Sequence, residues 1–197
     1  MNVTASILCP GPSLAQWAPR PSDGEHQITI AVNRAILAGP ADWLVALDAH
    51  TIGMMEDIPR VGRLLTGMAA WGEIETCFPA FAAGVKHVPK AWLHTKWLSR
   101  ANTFLGHSFL VAIILAAQLG ADLIECYGAD FGGEQDFDGY TSPRQKRDAG
   151  RWRRERELYE ELVRRLSLRG HCVCRTRDWP QHTQEADQWL ESGATRP

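Results

Sequence analysis

The feature that most constrains the fold is an alternation of short apolar runs with helical patterns along the chain. The apolar or β-branched runs are bounded by Gly, Pro, Asp or Asn, as in buried strands of a parallel sheet, and cover residues 5–9, 28–32, 43–47, 123–127 and 171–175. Helical patterns follow at residues 13–17, 34–37, 108–119 and 147–168. Strands that alternate with helices predict an α/β fold with an open, mainly parallel sheet and helices on both faces.

The segments between these runs include one strongly apolar helical pattern and one long region of mixed character. Residues 108–119 are apolar enough to form a buried helix with Gly120 as its C-cap. Residues 52–102 are rich in Trp, Pro and Gly, which favours short helices and loops, with one strand near residues 74–78. The length of 197 residues suits a single domain over residues 1–190, and residues 191–197 are expected to be frayed.

Composition excludes several classes of protein. With 21 Lys+Arg against 23 Asp+Glu, the chain is not basic throughout, unlike the simplest nucleic-acid-binding proteins. Its apolar runs, such as the one around residues 109–120, are shorter than the roughly 18 residues that a membrane span needs, and its N-terminal residues lack the basic segment of a signal peptide. The five cysteines are scattered and form no CxxC pair, which favours reduced thiols and a cytoplasmic location.

Charge is distributed unevenly in the second half of the chain. Residues 122–138 contain six acidic residues and no Lys or Arg, whereas residues 144–169 contain ten Lys and Arg against five Asp and Glu. The basic stretch is either a solvated helix with i,i+4 ion pairs or a cationic wall that meets phosphate. In the second interpretation Arg147 and Arg151 close over a phosphate, since a guanidinium fork matches phosphate geometry. A nucleic-acid acceptor is a weaker alternative for the same helix.

Chemically distinctive residues follow the predicted strands. Because ligands of open α/β sheets bind beyond the carboxyl ends of the strands, we expect these residues to meet at one edge. They are Gly11, Pro12 and Ser13 after the first strand, Asn33 after the second, Asp48 and His50 after the third, Gly128 and Asp130 after the fourth, and Gly106, His107 and Ser108 at the start of the apolar helix.

Two of these segments place glycine and serine at the start of a helix. Residues 11–13 and 106–108 can each be a tight turn followed by a Ser N-cap. They can equally be phosphate-binding loops, whose backbone N–H groups and hydroxyl hold an anion. The residues by themselves leave both interpretations open.

The remaining candidates carry acid, base or amide groups. Asn33 can cap the following turn or read a base or ribose through its amide. Asp48 and His50, on alternate residues of an extended segment, can form a metal or ribose clamp, although an isolated strand-end Asp is more often a helix cap. Asp130 belongs either to a hard-cation site or to an acidic loop. Asp48, His107 and Asp130 are the candidate catalytic groups, and Asp48 and His50 are the candidate ligands of Mg²⁺, the one cofactor considered.

Several motifs occur together in a recognisable order. They are the string ILCPGPSL at residues 7–14, IAVNRA at 30–35, ADWLVALD at 41–48, GHS at 106–108 followed by LGA at 119–121, and YGADF at 127–131. Together they resemble the sialyltransferase-like and MptE-like superfamily. That group includes bacterial sialyltransferases of glycosyltransferase family 42, Maf-type flagellin glycosyltransferases and the archaeal 6-hydroxymethylpterin diphosphokinase. The resemblance covers about residues 5–131.

This resemblance implies a Rossmann-like fold and a nucleotide-dependent function. The positions that it implies around a nucleotide and its phosphates are Gly11, Ser13, Asn33, Asp48, Ser108, Gly128 and Asp130. It predicts a transferase with a nucleotide-activated donor, foremost a nucleotide-sugar-dependent glycosyltransferase. The alternatives are an ATP-dependent diphosphokinase acting on a hydroxymethyl acceptor and a non-catalytic nucleotide-binding module.

The chain also departs from the sialyltransferases of that group. Those enzymes have a His general base before the C-terminal helix, and here no His lies between His107 and His171. Their tyrosines close behind the Gly-x-Asp loop are replaced by Gly132 and Gly133, with Tyr140 further on. Sialyl transfer itself is therefore not expected. An acceptor ring would stack on tryptophans outside the motifs, namely Trp92, Trp97 and Trp152.

Overall fold

The computed structural model describes residues 3–18, 26–55, 58, 61–98, 101–133, 135–141 and 149–175. Its centre is a seven-stranded sheet in which every pair of neighbouring strands is parallel. The strands are β1 (Val3–Leu8), β2 (His26–Val32), β3 (Trp43–Val45), β4 (Arg63–Thr66), β5 (Lys86–Pro89), β6 (Leu123–Tyr127) and β7 (Cys172–Arg175). They lie in the order β5-β4-β3-β2-β1-β6-β7. The predicted open, Rossmann-like α/β fold is confirmed.

Helices connect the strands, as parallel neighbours require. The α-helices are α1 (Ala49–Gly53), α2 (Met68–Cys77), α3 (Pro79–Gly84), α4 (Ala101–Phe104), α5 (Ser108–Gln118) and α6 (Ala149–Ser167). Short 3₁₀ helices cover Pro12–Gln16, Asn33–Ala38 and Lys90–Trp92. The segments expected to be helical at residues 13–17 and 34–37 are therefore single 3₁₀ stretches directly after β1 and β2. The predicted helix at residues 147–168 corresponds to α6, and residues 147 and 148 lie outside the described residues.

The two faces of the sheet are covered by different helices. Alternate residues of β2 separate them: Ile30 and Val32 pack with α5 and α6 in the larger core, whereas Ala31 packs with the Asn33–Ala38 segment, α1 and α2. Helix α5 is buried along seven consecutive residues, and its C-cap is Leu119, one residue before the predicted Gly120, which follows at φ 91°. Because α5 is packed in the core against the sheet, the position of its first turn relative to the strands is fixed.

The segment at residues 52–102 shows the main error of the sequence interpretation. The strand expected near residues 74–78 is wrong, because residues 74–77 belong to α2. The strands found among the described residues of this segment are β4 and β5, of four residues each. β5 lies at the edge of the sheet, where Lys86, His87 and Pro89 are tolerated because one side of the strand needs no hydrogen-bonding partner. Because β5 contains mainly polar residues, it does not show the apolar pattern from which the other strands were predicted.

Within the described part of the chain, no helix is both long enough and apolar enough to cross a lipid bilayer. Residues 191–197, expected to be frayed, lie outside the described residues.

Candidate functional site

A cavity opens where the strand order reverses. The chain passes from β1 to β2 on one side, and β6 pairs with β1 on the other. The loops that leave these strands separate at their carboxyl ends, which is where ligands bind in sheets of this kind. The cavity is bounded by the residues that follow β1, β2, β3 and β6, by the first turn of α5 and by the first turn of α6.

Most of the residues predicted for the site meet in this cavity. Those that line it are Gly11, Asn33, Asp48, Gly106, His107, Ser108, Gly128, Asp130 and Arg151. Pro12, Ser13 and His50 are described but do not line it. Arg147 lies outside the described residues. Residues from separate loops thus lie together at one edge of the sheet, as expected.

Gly11 and Gly128 let two loops cross at the end of β1. The Gly11 N–H donates to the Gly128 carbonyl at 3.0 Å, and the Cys9 N–H donates to the Tyr127 carbonyl at 2.7 Å. A Cβ atom on Gly11 would lie 2.3 Å from the Gly128 oxygen, and one on Gly128 would lie 2.1 Å from the Cys9 oxygen. Gly128 also has φ 70°. The backbone crossing alone therefore requires both glycines.

Ser13 does not line the cavity but is held by Asp130, which does. The Ser13 N–H donates to Oδ2 of Asp130 at 2.8 Å, and the Ser13 hydroxyl donates to Oδ1 at 2.5 Å. The carboxylate thus takes the position that a phosphate would occupy if residues 11–13 formed a phosphate loop. An incoming anion would have to displace Asp130 from these donors.

Asn33 has a strained backbone next to the cavity. Its φ of 52° lies in the left-handed region, which Asn tolerates better than most residues. Its Oδ1 atom is buried and accepts no hydrogen bond from the described residues. A buried acceptor without a donor is costly, so a ligand N–H or O–H at this position would be stabilised.

Arg34 is a cavity residue that the sequence interpretation missed. Its guanidinium lies 3.5 Å from Asp136 Oδ2 and forms an ion pair with Asp138, and its Nη1 donates to the Met54 carbonyl at 2.7 Å. The Tyr140 ring covers the guanidinium at 4.0 Å. Arg34 therefore anchors the segment that follows residues 128–130. Asp136 and Tyr140, which belong to this segment, line the cavity as well.

His107 faces a carboxylate from α6. Its Nδ1 lies 3.5 Å from Oε1 of Glu155, and Arg151 Nε donates to the same oxygen at 3.0 Å. Burial alone would raise the pKa of Glu155, but the hydrogen bonds and positive charges of His107 and Arg151 hold the pKa below its ordinary value. Glu155 was not predicted, because nothing in the sequence shows that α6 passes over the start of α5.

The stability that Glu155 provides is expected to depend on pH. Because the folded-state pKa lies below the unfolded one, the contribution is complete above the ordinary range of a Glu carboxyl and is lost as the pH falls through the folded-state value. The difference in the free energy of unfolding between the wild type and Glu155→Gln, measured in urea, should therefore be larger at pH 7 than at pH 3. An equal difference at both values would contradict this.

The metal clamp expected from Asp48 and His50 does not have the assumed geometry. The chain enters α1 at Ala49, so the two side chains do not project from one extended segment. Asp48 is exposed at the cavity and caps no helix through its side chain, whereas His50 belongs to α1. No group of three or more His, Cys, Asp and Glu among the described residues could hold a metal ion.

The thiol of Cys9 lines the cavity but is not suited to act as a nucleophile. Burial, with the charges of Asp130 and Glu155, raises the pKa of this thiol well above its ordinary value, so the thiol is protonated and a poor nucleophile.

One of the three tryptophans expected near an acceptor lies at the cavity. Trp152 lines it, whereas Trp92 stacks on Trp43 and Trp97 lies under the Arg169 guanidinium.

Comparisons with protein-family models, with curated proteins and with solved structures find no match to this chain.

Proposed function

We propose that the protein is a transferase that uses a nucleotide-activated donor, foremost a nucleotide-sugar-dependent glycosyltransferase. The observation that carries the proposal is the cavity at the reversal of strand order, around which the motif residues Gly11, Asn33, Ser108 and Gly128 converge. Dinucleotides and nucleotides bind at this position in open α/β sheets, so the place and the motifs agree.

The start of α5 is the part of the cavity best suited to the donor phosphate. Ser108, Phe109 and Leu110 form the first turn of this 11-residue helix, and all three line the cavity. Their backbone N–H groups have no partner within the helix, and the side chain of the N-cap residue, His107, does not cap them. Together with the helix dipole and the Ser108 hydroxyl, these groups would stabilise the negative charge of a leaving phosphate.

The charge of the cavity implies that the donor arrives with a cation. The described lining contains four carboxylates (Asp48, Asp130, Asp136 and Glu155) against two guanidinium groups (Arg34 and Arg151). A free nucleotide diphosphate would add to this negative excess, whereas a nucleotide–Mg²⁺ complex would offset it. The exposed Asp48 carboxylate is the candidate that could share such an ion.

His107 is the proposed acid–base group of the reaction. It directly precedes Ser108, so an acceptor hydroxyl beside the donor phosphate would lie near its imidazole. Trp152 on the same wall offers a flat surface for an acceptor ring. We place the reaction in the cytoplasm, because the five cysteines are all free thiols.

A binding panel followed by a turnover assay tests the proposal. The melting temperature is measured with CMP, UDP, GDP and ATP, each with and without Mg²⁺, and with the matching nucleosides as controls for the phosphate. A nucleotide present at about 100 times its Kd should raise the melting temperature by roughly 5–10 °C, with the larger shift in Mg²⁺. Nucleotide release from sugar donors is then measured for the base that binds.

The outcomes separate the related functions. Release of nucleotide from a sugar donor supports glycosyl transfer, whereas Mg²⁺-dependent formation of AMP from ATP would assign diphosphate transfer instead. Binding without any turnover would leave a non-catalytic nucleotide-binding module. If no nucleotide shifts the melting temperature and none is released, the proposal fails.

A further inference from the structure

A carboxylate of α6 is placed against the imidazole that faces the cavity. His107 immediately precedes α5, and Glu155 lies in the second turn of α6. The two helices are locked together nearby, because the Phe109 and Tyr159 rings stack with their centroids 5.6 Å apart. The approach of Glu155 Oε1 to His107 Nδ1, at 3.5 Å, is therefore fixed by core packing rather than by two flexible surface chains.

Glu155 is itself oriented and charged. Arg151, one turn earlier on α6, donates Nε to Oε1 at 3.0 Å and keeps the carboxylate turned towards the start of α5. The pKa of Glu155 is lowered, so the group is ionised at neutral pH although it is largely buried. A buried carboxylate that is paired with an imidazole favours the N–H on the facing ring nitrogen and stabilises the charged ring.

We propose that Glu155 is a positioning residue for His107, holding the imidazole with Nδ1–H towards itself and Nε2 towards the acceptor. This inference rests on the proposed transferase function. In the reaction, Nε2 of neutral His107 takes the proton of the acceptor hydroxyl, and the imidazolium formed is paired with Glu155. The acceptor oxygen bonds to the transferred group as that group's bond to the nucleotide phosphate breaks, and the electron pair leaves with the phosphate.

Other charged groups line the same cavity and contribute to the electrostatic potential at His107. Arg151 comes from α6, Arg34 from the segment after β2, Asp48 from the end of β3, and Asp130 from the loop after β6. Asp130 is engaged by Ser13 and Arg34 by Asp136 and Asp138. Glu155 is the carboxylate that the structure pairs with His107.

Replacement of Glu155 by Gln, which keeps shape and removes charge, tests the proposal. We expect kcat to fall by about 10- to 100-fold, less than the roughly 100- to 10,000-fold expected for His107→Gln, with KM for the nucleotide donor unchanged. The acidic limb of the pH–kcat profile should move to lower pH, because the imidazolium loses its partner. Glu157→Gln, on an exposed position of the same helix, is the matched control and should change neither.

A spectroscopic measurement keeps the test independent of turnover. In ¹⁵N-labelled protein at pH 8, the ring nitrogens of His107, assigned by their loss in His107→Gln, should report the Nδ1–H tautomer in the wild type and a mixture of tautomers in Glu155→Gln. If Glu155→Gln does not fold, Glu155→Asp, which withdraws the carboxylate by one methylene, should give the same changes to a smaller degree.

The kinetic and the spectroscopic measurements together show whether the role of Glu155 or the transferase function is wrong. A tautomer that changes in a protein without nucleotide turnover would uphold the positioning contact and reject the transferase function. An unchanged tautomer, or a fall in kcat with no movement of the pH profile, would overturn the role of Glu155 whatever the reaction is.

Discussion

Replacement of Gly128 by alanine should lower the free energy of unfolding by about 3–5 kcal/mol, because two penalties add at this position. The first is backbone strain, since Gly128 has φ 70°. The second is collision, since the new Cβ would lie 2.1 Å from the Cys9 carbonyl oxygen and 2.9 Å from Leu14 Cβ. The oxygen belongs to backbone that is hydrogen-bonded across β1 and β6, so it cannot move without breaking that crossing.

Gly120 provides the matched control for this substitution. Its φ of 91° is equally left-handed, but no atom lies within 4 Å of the position that a Cβ would take. Gly120→Ala should therefore show the strain alone, about 1–2 kcal/mol. Chemical denaturation of the two variants gives the comparison. Equal losses of stability would mean that the close approach of Cys9 and Gly128 does not constrain the fold.

The fold could be predicted from the sequence where strands are buried. β1, β2, β3, β6 and β7 each contain a short run of mainly apolar or β-branched residues, and this pattern identified each of them to within about two residues. β4 and β5 were missed because they are short and because β5, at the edge of the sheet, exposes polar residues. Ile74 was misread as strand, since a single β-branched residue says little about periodicity.

The candidate site could be predicted only where it follows directly from strand ends. Asn33, Asp48 and Gly128 lie beyond carboxyl ends, so parallel topology was enough to bring them together. Contacts that depend on tertiary packing could not be found this way. Arg34 meets Asp138 across 104 residues of sequence, and Glu155 meets His107 only because α6 packs on α5. Neither contact leaves a periodic signal in the chain.

Arg34→Met should cost about 3–5 kcal/mol of stability, the range for removing one partner from a buried ion pair. The guanidinium makes three polar contacts at once, to Asp136, to Asp138 and to the Met54 carbonyl, and its side chain is only 11% exposed. Methionine retains the aliphatic stem, so the loss reports the head group rather than packing. Arg34→Lys should recover only part of it, because an ammonium cannot reproduce the planar fork.

Arg165 is the appropriate comparison for Arg34, because it pairs with a single carboxylate, Glu161, one turn away on α6. Arg165→Met should cost about 0.5–1 kcal/mol, as expected for an i,i+4 pair on a helix whose side chains are 20% and 28% exposed. Urea denaturation of both variants decides between anchoring and ordinary i,i+4 pairing, and similar losses would reject the anchoring role. Because Asp136 and Tyr140 line the cavity, loss of the Arg34 anchor should also weaken the proposed nucleotide binding, whereas Arg165→Met should leave it unchanged.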